Sequence, residues 1–143
     1  MNSVIYRSFN GAEDWTWVNK QVGIQRVEDT GGIMASKNGE TLGACIMDNW
    51  TANSVQCHFM LKHPMVLKYG FLQLCFDFMF NQCGVKYVYG LVPSNNKKAL
   101  KLNKHMGFTI KTIMEEAFED GVDYVLMQLR REDCNYLEVS SNG

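Results

Sequence analysis

Val92-Pro93-Ser94-Asn95-Asn96-Lys97-Lys98-Ala99-Leu100-Lys101-Leu102-Asn103-Lys104-His105-Met106-Gly107-Phe108 reads as a strand end, a tight corner, one short helix and a hard stop. Pro93 cannot extend a strand's hydrogen-bond ladder, and Ser94 and Asn95 are good N-cap residues for a helix starting beyond them. From Asn96 onward, Ala99, Leu102 and Met106 fall on one helical face. Gly107 stands where a left-handed C′ residue belongs, and Phe108 can fold back on Leu102. Lys97, Lys98, Lys101 and Lys104 occupy the other face. The expectation is a half-buried helix whose N-terminus points out of a strand end, a corner where α/β folds hold anionic ligands.

Upstream, Val85 to Val92 reads as a strand, and Met65 to Gln82 is apolar almost all round, broken only by Gln73, Asp77 and Asn81. The second pattern predicts a helix covered on most sides, ended by Cys83-Gly84. Before it lies Ser54 to Leu61, a further strand. Strand, helix and strand make a βαβ unit, so 55–61 and 85–92 should run parallel. Asn38-Gly39 between apolar runs marks a hairpin joining Ile33–Ser36 to Thr41–Met47. Thr30-Gly31-Gly32 reads as a turn, with Ile24 to Asp29 undecided. Ser3 to Phe9 is a first strand, followed by a helix from Gly11 to a stop at Gly23, with Trp15, Val18 and Val22 inward and Glu13 and Asp14 complementing its dipole.

Downstream, Thr109–Phe118 and Val122–Arg130 read as strands around Glu119-Asp120-Gly121. The second is apolar on both faces apart from Asp123 and Gln128, which suits an interior or homodimer-facing strand. Asp133 to Gly143 is expected to be a short tail. The chain therefore predicts one α/β domain over residues 1–143, a mixed central sheet of 6–7 strands with 3–4 helices.

Composition agrees with a folded domain: 143 residues, 46% hydrophobic and 20% charged. A net charge of −1 offers no basic field for nucleic acid. No stretch has the length or apolarity of a signal peptide or a membrane span. Five cysteines without a C-x-x-C pair point to reduced thiols in a cytoplasm, and nothing has zinc-ligand spacing. His58, His63 and His105 show no acidic or nucleophilic partner at readable spacing, which argues against a hydrolase of the Ser/His or Cys/His kind.

Val92, Asn96, Ala99, Leu102, Gly107 and Phe108 keep the pattern V-x-x-x-N-x-x-A-x-x-L-x-x-x-x-G-F, which resembles a conserved block of the GNAT superfamily of acyl-CoA N-acyltransferases. The element order resembles that family from end to end. The resemblance implies transfer of an acetyl group from acetyl-CoA to an amine, with the acyl-CoA arm lying where strand 55–61 splays from strand 85–92. Backbone groups of Phe59, Met60 and Leu61 would then meet the arm's amides, or else water. Asn96 would contact the arm, cap the helix, or both. The lysine face would meet the 3′-phosphate, or be solvated.

Departures from the family pattern are plain. The pyrophosphate loop is Lys62-His63-Pro64-Met65-Val66-Leu67-Lys68-Tyr69-Gly70, with one late glycine; donors around Val66 to Gly70, Lys68 as a point charge and Tyr69 are what remains. Asn103 takes the place of the usual tyrosine acid, which leaves Tyr69 or Tyr89 as alternative proton sources. Glu115 and Glu116 are candidate bases, with a solvated hairpin edge as the plainer reading. The acceptor amine is not legible. The sequence style, including Arg130 to Tyr136 after the last strand, resembles small acetyltransferase-like proteins from phages and their hosts. The rival reading is a non-catalytic, phage-encoded protein of the same fold that binds a partner or forms part of a particle.

Overall fold

A computed structural model of the chain describes residues 4–21, 31–62, 66 and 70–137, leaving out the side chain of Asn19. Seven strands form one mixed sheet in the order β1-β2-β3-β4-β5-β7-β6. They are β1 (Ile5–Ser8), β2 (Gly31–Lys37), β3 (Glu40–Asp48), β4 (Ser54–Leu61), β5 (Tyr87–Pro93), β6 (Thr109–Glu119) and β7 (Val122–Arg130). Among the described residues three α-helices accompany them: α1 (Gly11–Gln21), α2 (Phe71–Phe76), which runs on as π-helix over Asp77–Gln82, and α3 (Lys97–Met106), with a short 3-10 turn at Arg131–Asp133. The α/β mixed-sheet class is as the sequence implies.

Strand alternation divides the helices between the two faces. Val18 of α1 packs with Met34, Ala44, Ile46 and Met60 on one face. The other face buries Cys45, Met47, Val55, Cys57, Val88, Val92, Val125 and Met127 under α2 and α3. Phe76 is the hub there, its ring 5.5 Å from Phe59, 6.3 Å from Phe108 and 5.7 Å from Tyr136. Cys134, Tyr136 and Leu137 thus pack on the core, inside the stretch expected to be tail.

Several local expectations shift. Gly31 and Gly32 begin β2 rather than forming a turn, because a Cβ on Gly32 would lie 2.6 Å from the Cys45 carbonyl oxygen of β3. The glycine serves close strand approach. The described core helix opens at Phe71, behind Gly70 at φ 81°, and Met65 and residues 67–69 of the expected helix lie outside the described residues. Beyond Phe76 it widens, with Cys83 N–H reaching back five residues to the Phe78 carbonyl. Arg131 Nη1 donates to the Phe80 carbonyl at 2.6 Å, covering a helix-end acceptor. Strand β5 starts at Tyr87 rather than Val85. Asp14 is buried against Arg7 instead of merely facing the α1 dipole. Gly23, Val22, Ile24–Asp29, His63, Lys68 and Tyr69 lie outside the described residues.

Candidate functional site

The site begins where two strands part. β4 and β5 run parallel and pair only at Ser54↔Tyr87, Val55↔Val88 and Gln56↔Tyr89. β4 continues to Leu61 on β3, while β5 continues to Pro93 on β7. Beyond Gln56, the β5-facing backbone of β4 therefore has no strand beside it, and its amides and carbonyls need other partners. Gly90 keeps the throat open: a Cβ there would stand 3.3 Å from the Cys57 carbonyl oxygen.

A cavity of about 540 Å³ fills this gap. Strand parity gives it two ends. Cys57, Phe59, Gly90 and Val92 line the α2/α3 side together with Asn96, Ala99, Asn103 and Phe108. Asp48, Gln56, His58, Leu91, Phe118 and Tyr124 line the side of the sheet that α1 shares.

α3 is built as its sequence indicates, with one correction at its start. The N-cap is Asn96, not Ser94 or Asn95; its Oδ1 accepts from Ala99 N–H at 3.1 Å. Ser94 instead ties the corner to β7, its N–H donating to the Asp123 carbonyl at 2.8 Å and its hydroxyl accepting from Asp123 N–H at 2.9 Å. Gly107 has φ 104°, and Phe108 N–H bonds the Asn103 carbonyl while Gly107 N–H bonds Lys104, a Schellman ending.

Of the residues singled out in the sequence, Phe59, Met60, Asn96 and Asn103 line the cavity and Leu61 does not. Gly70 caps the start of α2. The Asn103 amide donates weakly to Met127 Sδ at 3.7 Å. Tyr89 is not in the lining; burial, then the charge of Asp48, push its phenol up. Glu116 is committed to the hairpin, its carboxylate accepting from Gly121 N–H at 3.0 Å and its own N–H donating to Asp123 Oδ1 at 2.9 Å. That fold of the hairpin aims Phe118 at Tyr124, edge to face at 5.4 Å.

The pair the sequence hid is His58 and Asp48. They lie on adjacent strands, since Ile46 pairs with His58 and Asp48 with Gln56, so their side chains are diagonal neighbours on one face. His58 Nε2 is 3.3 Å from both Asp48 oxygens. Asp48 is only 6% exposed. The expectation that no histidine has an acidic partner is thus corrected for His58; the signal was a polar residue in mid-strand together with the register of the β3–β4 turn. Burial pushes the thiols of Cys45 and Cys57 up, which disfavours the thiolate form. Among the described residues no cluster of three metal-ligating side chains occurs, and no helix is long and apolar enough to cross a membrane.

No protein-family model matches this sequence, and no curated protein matches it. Solved structures do. The spermidine/spermine N-acetyltransferase SpeG from Vibrio cholerae superposes with a TM-score of 0.72 at 12% identity, over 89% of this chain and 92% of that one. The N-acetyltransferase PseH from Campylobacter jejuni gives 0.64 at 15% identity, over 90% and 98%. A GNAT family acetyltransferase from Elizabethkingia anophelis, with acetyl-CoA bound, gives 0.68 at 12% identity, over 89% and 97%. This is the GNAT fold. In it, the parted β4 and β5 and the capped α3 are features of one architecture, and the segment 92–108 sits at the cavity's α3 wall.

Proposed function

We propose that the chain is an N-acetyltransferase that moves an acetyl group from acetyl-CoA to an amine. The observation that carries the reading is the parting of β4 from β5 after Gln56, with unpaired backbone facing a cavity deep enough for an extended arm. A molecule with evenly spaced amides fits such a strand edge as a second strand would. Phe59, Met60, Asn96 and Asn103 would hold the arm. Lys68, Tyr69 and Gly70 would meet the phosphates, and Lys97, Lys98, Lys101 and Lys104 stand exposed at the outer end.

Acetyl-CoA supplies a thioester carbon that an uncharged amine attacks, with the thiolate leaving. The chain's part is to make the amine uncharged and to hold it. An ammonium group held by Asp48 lies beside His58 Nε2, 3.3 Å from both carboxylate oxygens, and the unprotonated Nε2 accepts its proton. Tyr124, the phenol in the cavity wall, or entering water returns a proton to the departing sulfur. Asn103 can hydrogen-bond that sulfur but cannot protonate it.

The same reading includes a cytoplasmic location, supported by five free cysteines, which fractionation of expressing cells would check. The strand expected to be interior or dimer-facing, β7, is interior, paired with β5 and β6, so the proposed homodimer passes to β6, an edge strand exposing Ile110, Ile113 and Met114. Antiparallel self-pairing about Ile113 sets Lys111 opposite Glu115 of the second copy. Sedimentation of wild type as a monomer at high concentration would remove that element.

Thermal melts with and without millimolar acetyl-CoA test the function. Ligand at ~100-fold over its Kd stabilises by about 2.7 kcal/mol, a clear upward shift. No shift would return the chain to the non-catalytic binding class.

A further inference from the structure

The cavity's second end carries information about the acceptor. Asp48 is 6% exposed, yet its hydrogen-bond partner among the described residues is His58, at a long 3.3 Å. A carboxylate buried with so little compensation is costly unless a cation joins it. Asp48 is also the one acidic side chain among the described residues that line this cavity. Beside it the wall is Leu91 and the rings of Phe118 and Tyr124, with Gln56 as an uncharged polar neighbour. Phe118 is 44% exposed, its ring edge to face with Tyr124 at 5.4 Å, on a hairpin tied by the Asp123–Ser94 and Glu116–Asp123 hydrogen bonds.

From this arrangement we infer that the acceptor is a primary amine carrying a single charge on an apolar, flat stem. Its ammonium sits on Asp48 beside His58, and its stem lies against the Phe118–Tyr124 pair. A polyamine is disfavoured, because its further ammonium groups would face Leu91 and the aromatic rings without a carboxylate among the cavity's described residues. The inference rests on the transferase reading for the direction of the amine, but binding can be measured without turnover.

Isothermal titration of the full chain with 2-phenylethylamine, n-butylamine and spermidine, in the presence of CoA, tests it. 2-Phenylethylamine should bind at least ~10-fold more tightly than either of the others. Asp48→Asn should weaken it by ~10-fold or more while the melting shift given by acetyl-CoA stays as in wild type. Phe118→Ala, at an exposed position that threatens folding little, should weaken 2-phenylethylamine by ~5-fold or more and leave n-butylamine unchanged. Spermidine binding as tightly as 2-phenylethylamine would overturn the inference, as would either variant binding 2-phenylethylamine like wild type. An absent acetyl-CoA shift, by contrast, counts against the transferase reading itself.

Discussion

The side-chain oxygen of Asn96 accepts a hydrogen bond from Ala99 N–H at 3.1 Å, while its NH2 group, at the cavity wall, has no partner among the described residues. One amide can thus close a helix and meet a ligand.

Two substitutions separate these roles. Asn96→Ser keeps a capping oxygen and loses the NH2 donor, so its melting temperature should match wild type while acetyl-CoA binds more weakly. Asn96→Ala should also lose about 1 kcal/mol of stability. Wild-type acetyl-CoA affinity in Asn96→Ser would confine the residue to capping.

Gly107 has φ 104°, and a Cβ there would meet Leu129 Cδ1 at 3.3 Å. Gly107→Val should destabilise the fold by about 1–2 kcal/mol through backbone strain. Urea melts superimposable on wild type would contradict the left-handed ending.

The left-handed end of α3 is legible in the sequence because its chemistry is local, whereas three neighbouring cap candidates, Ser94, Asn95 and Asn96, leave its start open until the corner is in place. The Asn38-Gly39 hairpin is legible too, where φ values of 53° and 80° match the turn that the residue pair prescribes. The bounds of Ser54–Leu61 are legible to the residue. What stays hidden depends on register. Asp48 and His58 meet only because β3 and β4 pair with Ile46 opposite His58. Gly32 looks like a turn glycine until the neighbouring β3 backbone is in place. Tyr136, in a polar terminal stretch, gives no periodic signal for its stacking on Phe76.

In the proposed transferase, the resemblance implies a tyrosine acid at the position that Asn103 fills. General acid help is typically worth ~10²–10⁴ in rate, so Asn103→Tyr should raise CoA release, measured with a panel of amines, by ~10-fold or more. Asn103→Ala should leave turnover slow. Rapid wild-type turnover that Asn103→Ala does not alter would take this residue out of the mechanism.

Arg7 Nη1 and Nη2 donate to Asp14 at 2.5 and 2.6 Å, and Asn10 N–H donates at 2.5 Å. The Arg7 hydrogen bond, against an opposing effect of burial, lowers the Asp14 carboxyl below its usual range. A carboxyl lowered by folding contributes stability above its unfolded value, near pH ~4, and loses it as pH falls through the folded value. Asp14→Asn should therefore cost about 1–2 kcal/mol at neutral pH, and the gap to wild type should close near pH ~2. A gap of equal size at both pH values would show that charge is not what the pair contributes.

Three residue pairs are all that join β4 to β5 along the sheet. Mechanically this makes two leaves, β1–β4 and β5–β7, hinged at one end and covered by a common helix layer. Leaves so joined should open separately, and native-state hydrogen exchange should resolve two groups of amides with distinct opening free energies. A ligand laid between them supplies the hydrogen bonds that the hinge lacks, and the two groups should then exchange as one. The acyl donor would be, for as long as it stays, the missing strand of the sheet.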